Sequence, residues 1–182
     1  IILGGRAEPP SWVDEIASTV PTVIVGRVHE LPGTSVGVAM DHKEGARQAV
    51  RHLIERGASD IVHIAGPLDW MDAYLRLEGY REVCAEAGLT ERVLHARSWD
   101  ASAATELMSA LPDGDFDGVF AANDQLALGC LGALQRRGVS IPGQVRVVGF
   151  DDMAGADALF PALTTVRQDF TRVGELAVDA LK

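Results

Sequence analysis

Short β-branched and apolar runs recur along the chain at 22–25, 35–38, 61–65, 118–121 and 145–149, with a further one at 92–95. They predict strands. Between several of them the apolar positions return with a period near 3.6. The 43–56 stretch puts Ala46, Ala49, Val50, Leu53 and Ile54 on one face. The 73–87 stretch does so with Leu77, Tyr80, Cys84 and Ala87, and 125–137 with Ala127, Cys130, Leu131 and Leu134. Gly57, Gly88 and Gly138 follow these helical patterns, where a left-handed stop favours glycine. Strand alternating with helix predicts an α/β protein, its parallel sheet covered by helices on both faces.

In an open parallel sheet, ligands bind beyond the carboxyl ends of the strands. The residues expected there are 66–72 after the 61–65 strand, Ser98-Trp99-Asp100 after 92–95, Ala122-Asn123-Asp124 after 118–121, and Phe150-Asp151-Asp152 after 145–149. Each turn carries a carboxylate, and two carry a tryptophan, Trp70 and Trp99. Carboxylates and amides pair with hydroxyls, and an indole covers an apolar sugar face, so the set suits a polyol. Each residue also has a plain structural use. Asn123 or Asp124 can cap the following helix, Asp100 can cap 101–110, and Asp151-Asp152 can be turn chemistry.

Composition narrows the classes. The 182 residues are 47% hydrophobic with 23% charged, which excludes a wholly disordered chain. No apolar stretch approaches the ~20 residues of a membrane span. The formal net charge of −10, from 26 acidic and 16 basic residues, lacks the electrostatic footprint of a DNA-gripping surface. Cys84 and Cys130, the only cysteines, sit in apolar helical runs and are expected to be buried free thiols of a reducing compartment.

Catalytic and metal motifs are missing from the sequence. There is no phosphate loop, no dinucleotide fingerprint and no G-x-S-x-G elbow. His29, His42, His52, His63 and His95 are scattered without metal spacing, and there is no C-x-x-C. An enzyme, a cofactor protein and a metal site are therefore not expected. The chain opens on Ile1-Ile2-Leu3 as if a strand were already under way, and 174–182 reads as an unfinished helix. It is read as a fragment of a longer protein.

Several segments carry a resemblance together: Asp41-His42-Lys43-Glu44-Gly45-Ala46, His52-Leu53-Ile54-Glu55-Arg56-Gly57, Gly66-Pro67-Leu68, Arg76-Leu77-Glu78-Gly79-Tyr80, Ala122-Asn123-Asp124-Gln125, Val148-Gly149-Phe150-Asp151-Asp152 and Leu163-Thr164-Thr165-Val166-Arg167-Gln168-Asp169-Phe170. In order and spacing the chain resembles the effector-binding region of the LacI/GalR family of bacterial transcription regulators. The resemblance implies a two-lobed, periplasmic-binding-protein-like α/β fold of parallel sheets flanked by helices, here as an N-terminally truncated fragment. Residues 1–40 would be part of the first lobe, 41–166 the second, and 167–182 the return to the first. The DNA-binding head would lie upstream.

The resemblance also implies roles. Arg76 matches the arginine that bonds effector hydroxyls or carboxylate, Asn123 the amide of N-D-Q, and Asp151 the hydroxyl-accepting first Asp of G-F-D-D. Trp99 falls where some members stack a ring on a sugar. Gln168 and Phe170 match positions near the crossover. Trp70 and Asp72 stand where members often carry small hydroxyl residues, and Gly26 where many carry an acid. The expected ligand is a sugar or related small polar molecule, with no cofactor, and the expected setting is a cytoplasmic homodimer. The dimer contacts are assigned to Ala127, Leu131, Leu159 and Phe160. Operator DNA would be reached through the absent head. A periplasmic sugar-binding component of a transporter remains the alternative at this point.

Overall fold

The structure, a computed structural model, describes residues 1–8, 10–26, 31, 33–112 and 114–182. His29 lies outside them. In chain order the elements are β1 (Ile2–Leu3), α1 (Ser11–Thr19), β2 (Val23–Val25), β3 (Val36–Val38), α2 (His42–Glu55), β4 (Ile61–Ala65), α3 (Met71–Ala87), β5 (Arg92–His95), α4 (Ala101–Ser109), β6 (Gly118–Ala121), α5 (Asp124–Arg136), β7 (Arg146–Asp151), β8 (Thr164–Arg167) and α6 (Phe170–Asp179). The helical turns do end on left-handed glycines, with φ of 90°, 68° and 73° at Gly57, Gly88 and Gly138.

The chain divides into two compact units. One comprises Ile1–Asp41, Asp69–Asp72 and Gln168–Lys182, the other His42–Leu68 and Ala73–Arg167. In the first unit, β1, β2 and β3 form a parallel sheet in that order. Val13 and Ala17, four residues apart on α1, close a small core on Ile24.

In the second unit all five strands are parallel, in the order β5-β4-β6-β7-β8. Every residue of β4 and β6 is buried, so these strands read as continuous apolar runs. Successive side chains serve opposite faces. Val62, Ile64, Val119, Ala121 and Val147 pack with α4 and α5, while Ile61, Phe120, Val148 and Phe150 pack with α2 and α3. The two cysteines are buried free thiols, one in each of these layers. His63 lies inside the sheet, its ring stacked on Phe120 at 4.6 Å and on Tyr80 at 5.1 Å. Burial pushes its pKa down to about 3, so it is held neutral.

The strand order also locates a crevice. The chain leaves β4 for β5 on one side, and β6 lies on the other, so the direction of winding reverses between β4 and β6. Loops diverge at such a switch point and leave room beyond the carboxyl ends.

Candidate functional site

Four of the residues singled out in the sequence, Arg76, Trp99, Asn123 and Asp151, belong to the second unit and cluster at this end of its sheet. Arg76 projects from the second turn of α3, which follows β4. Its side chain is only 3% exposed. A buried guanidinium requires partners for its donors and an opposite charge. Nη1 donates to the carbonyl of Ala122, just past β6. Nε and Nη2 both point at Nδ1 of His42, at 3.4 and 3.2 Å. Nη2 lies 3.3 Å from Oδ1 of Asp151. The guanidinium carbon sits 3.8 Å above the Phe150 ring and 5.8 Å from that of Trp99. One cation thus ties the end of β6, the end of β7 and the start of α2 together.

Asp151 closes β7 with its side chain 34% exposed. Its φ is 110°, and that of Asp152 is 56°, both in the region L-residues rarely adopt. Neighbouring ion pairs hold this strained corner: Asp151 with Arg76, and Asp152 with Arg167 at 2.6 Å. Pairing fixes this strained strand end and leaves the Asp151 carboxylate partly exposed. Trp99 is half-buried, with its ring on the Arg76 side of the cluster. A Cβ on Gly66, the residue after β4, would come within 2.4 Å of the indole, so the ring occupies space that only glycine leaves open.

Asn123 is the N-cap of α5. Its Oδ1 accepts from the backbone N–H of Leu126 at 2.8 Å, and its Nδ2 donates to the Trp99 carbonyl at 3.4 Å. Asp124 makes no cap. It is 1% exposed and accepts from the Met153 backbone at 2.7 Å and the Thr165 hydroxyl at 2.5 Å. Burial raises its pKa, opposed by those bonds. Asp100 stands at the N-cap position of α4 without a side-chain capping bond.

The other candidates belong to the first unit. Trp70 bridges to Arg6 in antiparallel fashion, and the Arg6 guanidinium lies 5.3 Å over its ring. Arg6 also pairs with Asp69 at 2.6 Å. Asp72 and Gln168 are half-buried, and Phe170 opens α6 at 63% exposure. Gly26 takes a φ of 95°, and a Cβ there would fall 2.0 Å from the Gly4 carbonyl oxygen, so an acid could not simply be placed at this position. Of the residues assigned to pairing, Ala127 and Leu131 lie in the core of the second unit, Leu159 is half-buried against it, and Phe160 is 95% exposed.

His42 is the residue the sequence reading missed. It opens α2 but is 5% exposed and faces Arg76. The signal was available only as its place in the Asp41–Ala46 motif. Among the described residues no cluster of His, Cys, Asp and Glu could hold a metal, and no helix is long and apolar enough to cross a membrane.

Comparison with known proteins gives this geometry a family. The periplasmic binding protein-like domain family matches residues 50–182. The lactose operon repressor of Escherichia coli K12 is 31% identical over 171 residues, covering 93% of this chain and 47% of the repressor. The HTH-type transcriptional regulator CelR of Thermobifida fusca is 37% identical over 177 residues, covering 93% of this chain and 51% of that protein. The crystal structure of the Escherichia coli transcriptional repressor ascG superposes with a TM-score of 0.83 at 31% identity, over 93% of this chain and 64% of that one. The chain spans about half the length of the curated relatives it matches. It belongs to the periplasmic binding protein-like domain family, in the form carried by transcriptional regulators of the LacI/GalR type.

Proposed function

We propose that this chain is the effector-binding part of a LacI/GalR-type transcription regulator, and that its ligand is a sugar or close relative. The two units correspond to the lobes of the sensor, and the ligand engages the second at the carboxyl ends of β4, β6 and β7. The observation that carries the reading is the partly exposed carboxylate of Asp151 on strained backbone, anchored by buried Arg76, whose guanidinium also lies 5.8 Å from the Trp99 indole. A carboxylate accepts two vicinal hydroxyls, and an indole covers the C–H face of a ring. Nothing in this set is a nucleophile with a base partner, so the site binds rather than turns over its ligand.

The regulator acts in the cytoplasm as a homodimer. Exposed Phe160 forms part of the pairing surface, and operator DNA is engaged through a separate head. A ligand that prefers one arrangement of the lobes shifts the population toward it and so alters the spacing of the paired heads. The relatives named as operon repressors, that for lactose among them, support this reading.

Calorimetric titration of the chain with lactose, ribose, glucose and an acyclic polyol tests it. Saturable binding of at least one ring sugar is expected. Trp99→Ala is expected to weaken the ring sugar more than the acyclic polyol. Specific retardation of a DNA duplex by this acidic chain at physiological salt would contradict the assignment of DNA binding to a separate head.

A further inference from the structure

We propose that His42 is a positioning residue for the effector site: its neutral Nδ1 holds the Arg76 guanidinium, and through it the Asp151 carboxylate, in the geometry that meets the ligand. The proposal rests on the reading that Arg76 and Asp151 face the effector.

Every guanidinium N–H donates and none accepts. Nε at 3.4 Å and Nη2 at 3.2 Å converge on one histidine nitrogen, Nδ1. That nitrogen must therefore carry a lone pair, and the proton of the neutral ring lies on Nε2. Arg76 is 3% exposed and His42 5%, so the histidine supplies an acceptor to a charged group with little access to solvent. With Nη1 on the Ala122 carbonyl and Phe150 beneath the plane, His42 fixes the rotation of the guanidinium about its long side chain. That rotation sets where Nη2 meets Asp151.

Arg76 from α3 faces the ring, and Asp151 from β7 lies beyond it on the same guanidinium. β6 (Gly118–Ala121) brings no titratable side chain, and Arg167 of β8 pairs with Asp152. A proton on Nδ1 would abolish the acceptor and set a second cation against the first.

Two variants separate positioning from bulk structure. His42→Asn places an amide oxygen where Nδ1 stands and cannot be protonated near neutral pH. His42→Leu fills similar space without an acceptor. In the whole chain, nitrogen-15 spectra of the histidine rings should show one Nε2–H tautomer with an unprotonated Nδ1, absent from His42→Asn. The Arg76 Nε–H resonance should resist exchange with water in wild type and His42→Asn and broaden away in His42→Leu. Acidification should release it in wild type but not in His42→Asn. With lactose as the probe, His42→Leu should bind about tenfold more weakly than His42→Asn.

A protected Arg76 Nε–H in His42→Leu, or a proton on Nδ1 of wild-type His42 at neutral pH, overturns the proposal. If His42→Leu fails to fold, the wild-type tautomer and the acid response of His42→Asn still decide it. If lactose does not bind, the spectra decide the positioning role alone, and the failure belongs to the reading of the ligand.

Discussion

Asp124, just past β6, and Asp151, the last residue of β7, lie at the same end of neighbouring strands, yet the fold uses them in opposite ways. Asp124 is 1% exposed, and its oxygens are taken by Met153 and Thr165. It ties α5 to the end of β7 and to β8. Even Gly149 depends on it, because a Cβ there would lie 2.3 Å from Oδ1 of Asp124. Asp151 is a third exposed, sits on strained backbone and is paired with a cation buried behind it. Both are strand-end acids in sequence. What separates them is whether the carboxylate is sealed within the fold or left partly exposed with its position secured. A carboxylate of the first kind contributes to stability, and one of the second kind to binding.

The sharpest way to break this contrast is Asp124→Ala. It leaves a backbone N–H and a hydroxyl without their acceptor in a buried site, at a cost of about 3 kcal/mol. Denaturant titration should show that loss, while ligand affinity of the folded fraction stays within about threefold of wild type. A tenfold loss of affinity at unchanged stability would place Asp124 with Asp151.

His63 extends the contrast to a group whose burial is settled by neutrality instead of pairing. Its folded pKa is depressed to about 3 against an ordinary 6.5. Below pH 6.5 the unfolded chain takes up a proton that the folded chain refuses, so stability is lost as pH falls. The loss should reach about 2 kcal/mol by pH 5. His63→Phe keeps a ring between Tyr80 and Phe120 and removes the proton site. Melting curves between pH 7 and pH 5 should be flatter for it by that amount, whereas His42→Asn should keep the wild-type slope from His63.

Phe160 carries the smallest effect on folding. It is 95% exposed, so Phe160→Ser should change stability by no more than about 0.5 kcal/mol. Light scattering should show weaker self-association. An unchanged mass for wild type and variant across a wide concentration range would remove Phe160 from the pairing surface.

Much of this arrangement is legible in the sequence. β4, β5 and β6 fall where their apolar runs predict, and α2, α3 and α5 begin within two residues of the periodic stretches. β4 and β6 are buried on both faces, so their signal is continuous and strong. α1 and β8 went unread as elements. α1 buries only Val13 and Ala17, too few for a visible stripe, and β8 buries no residue fully. The site was legible as a set of strand ends but not as a division of labour. Asn123 and Asp124 are adjacent and equally suited to capping, and only the packing of 153 and 165 against Asp124 tells them apart. His42 was hidden for the same reason, since nothing local announces that a residue 34 positions away will place a buried cation on its lone pair.

The most direct test of the central claim is calorimetric titration of wild type and Asp151→Asn with whichever of lactose, ribose and glucose the wild type binds, alongside melting curves for both. The substitution keeps the shape of the side chain, removes its charge and turns one acceptor into a donor. Affinity is expected to fall by roughly tenfold, about 1.4 kcal/mol, with a smaller loss of stability than in Asp124→Ala, because Asp151 is a third exposed and the amide oxygen still accepts from Arg76. Unchanged affinity, or a loss of stability as large as that of Asp124→Ala, would contradict it.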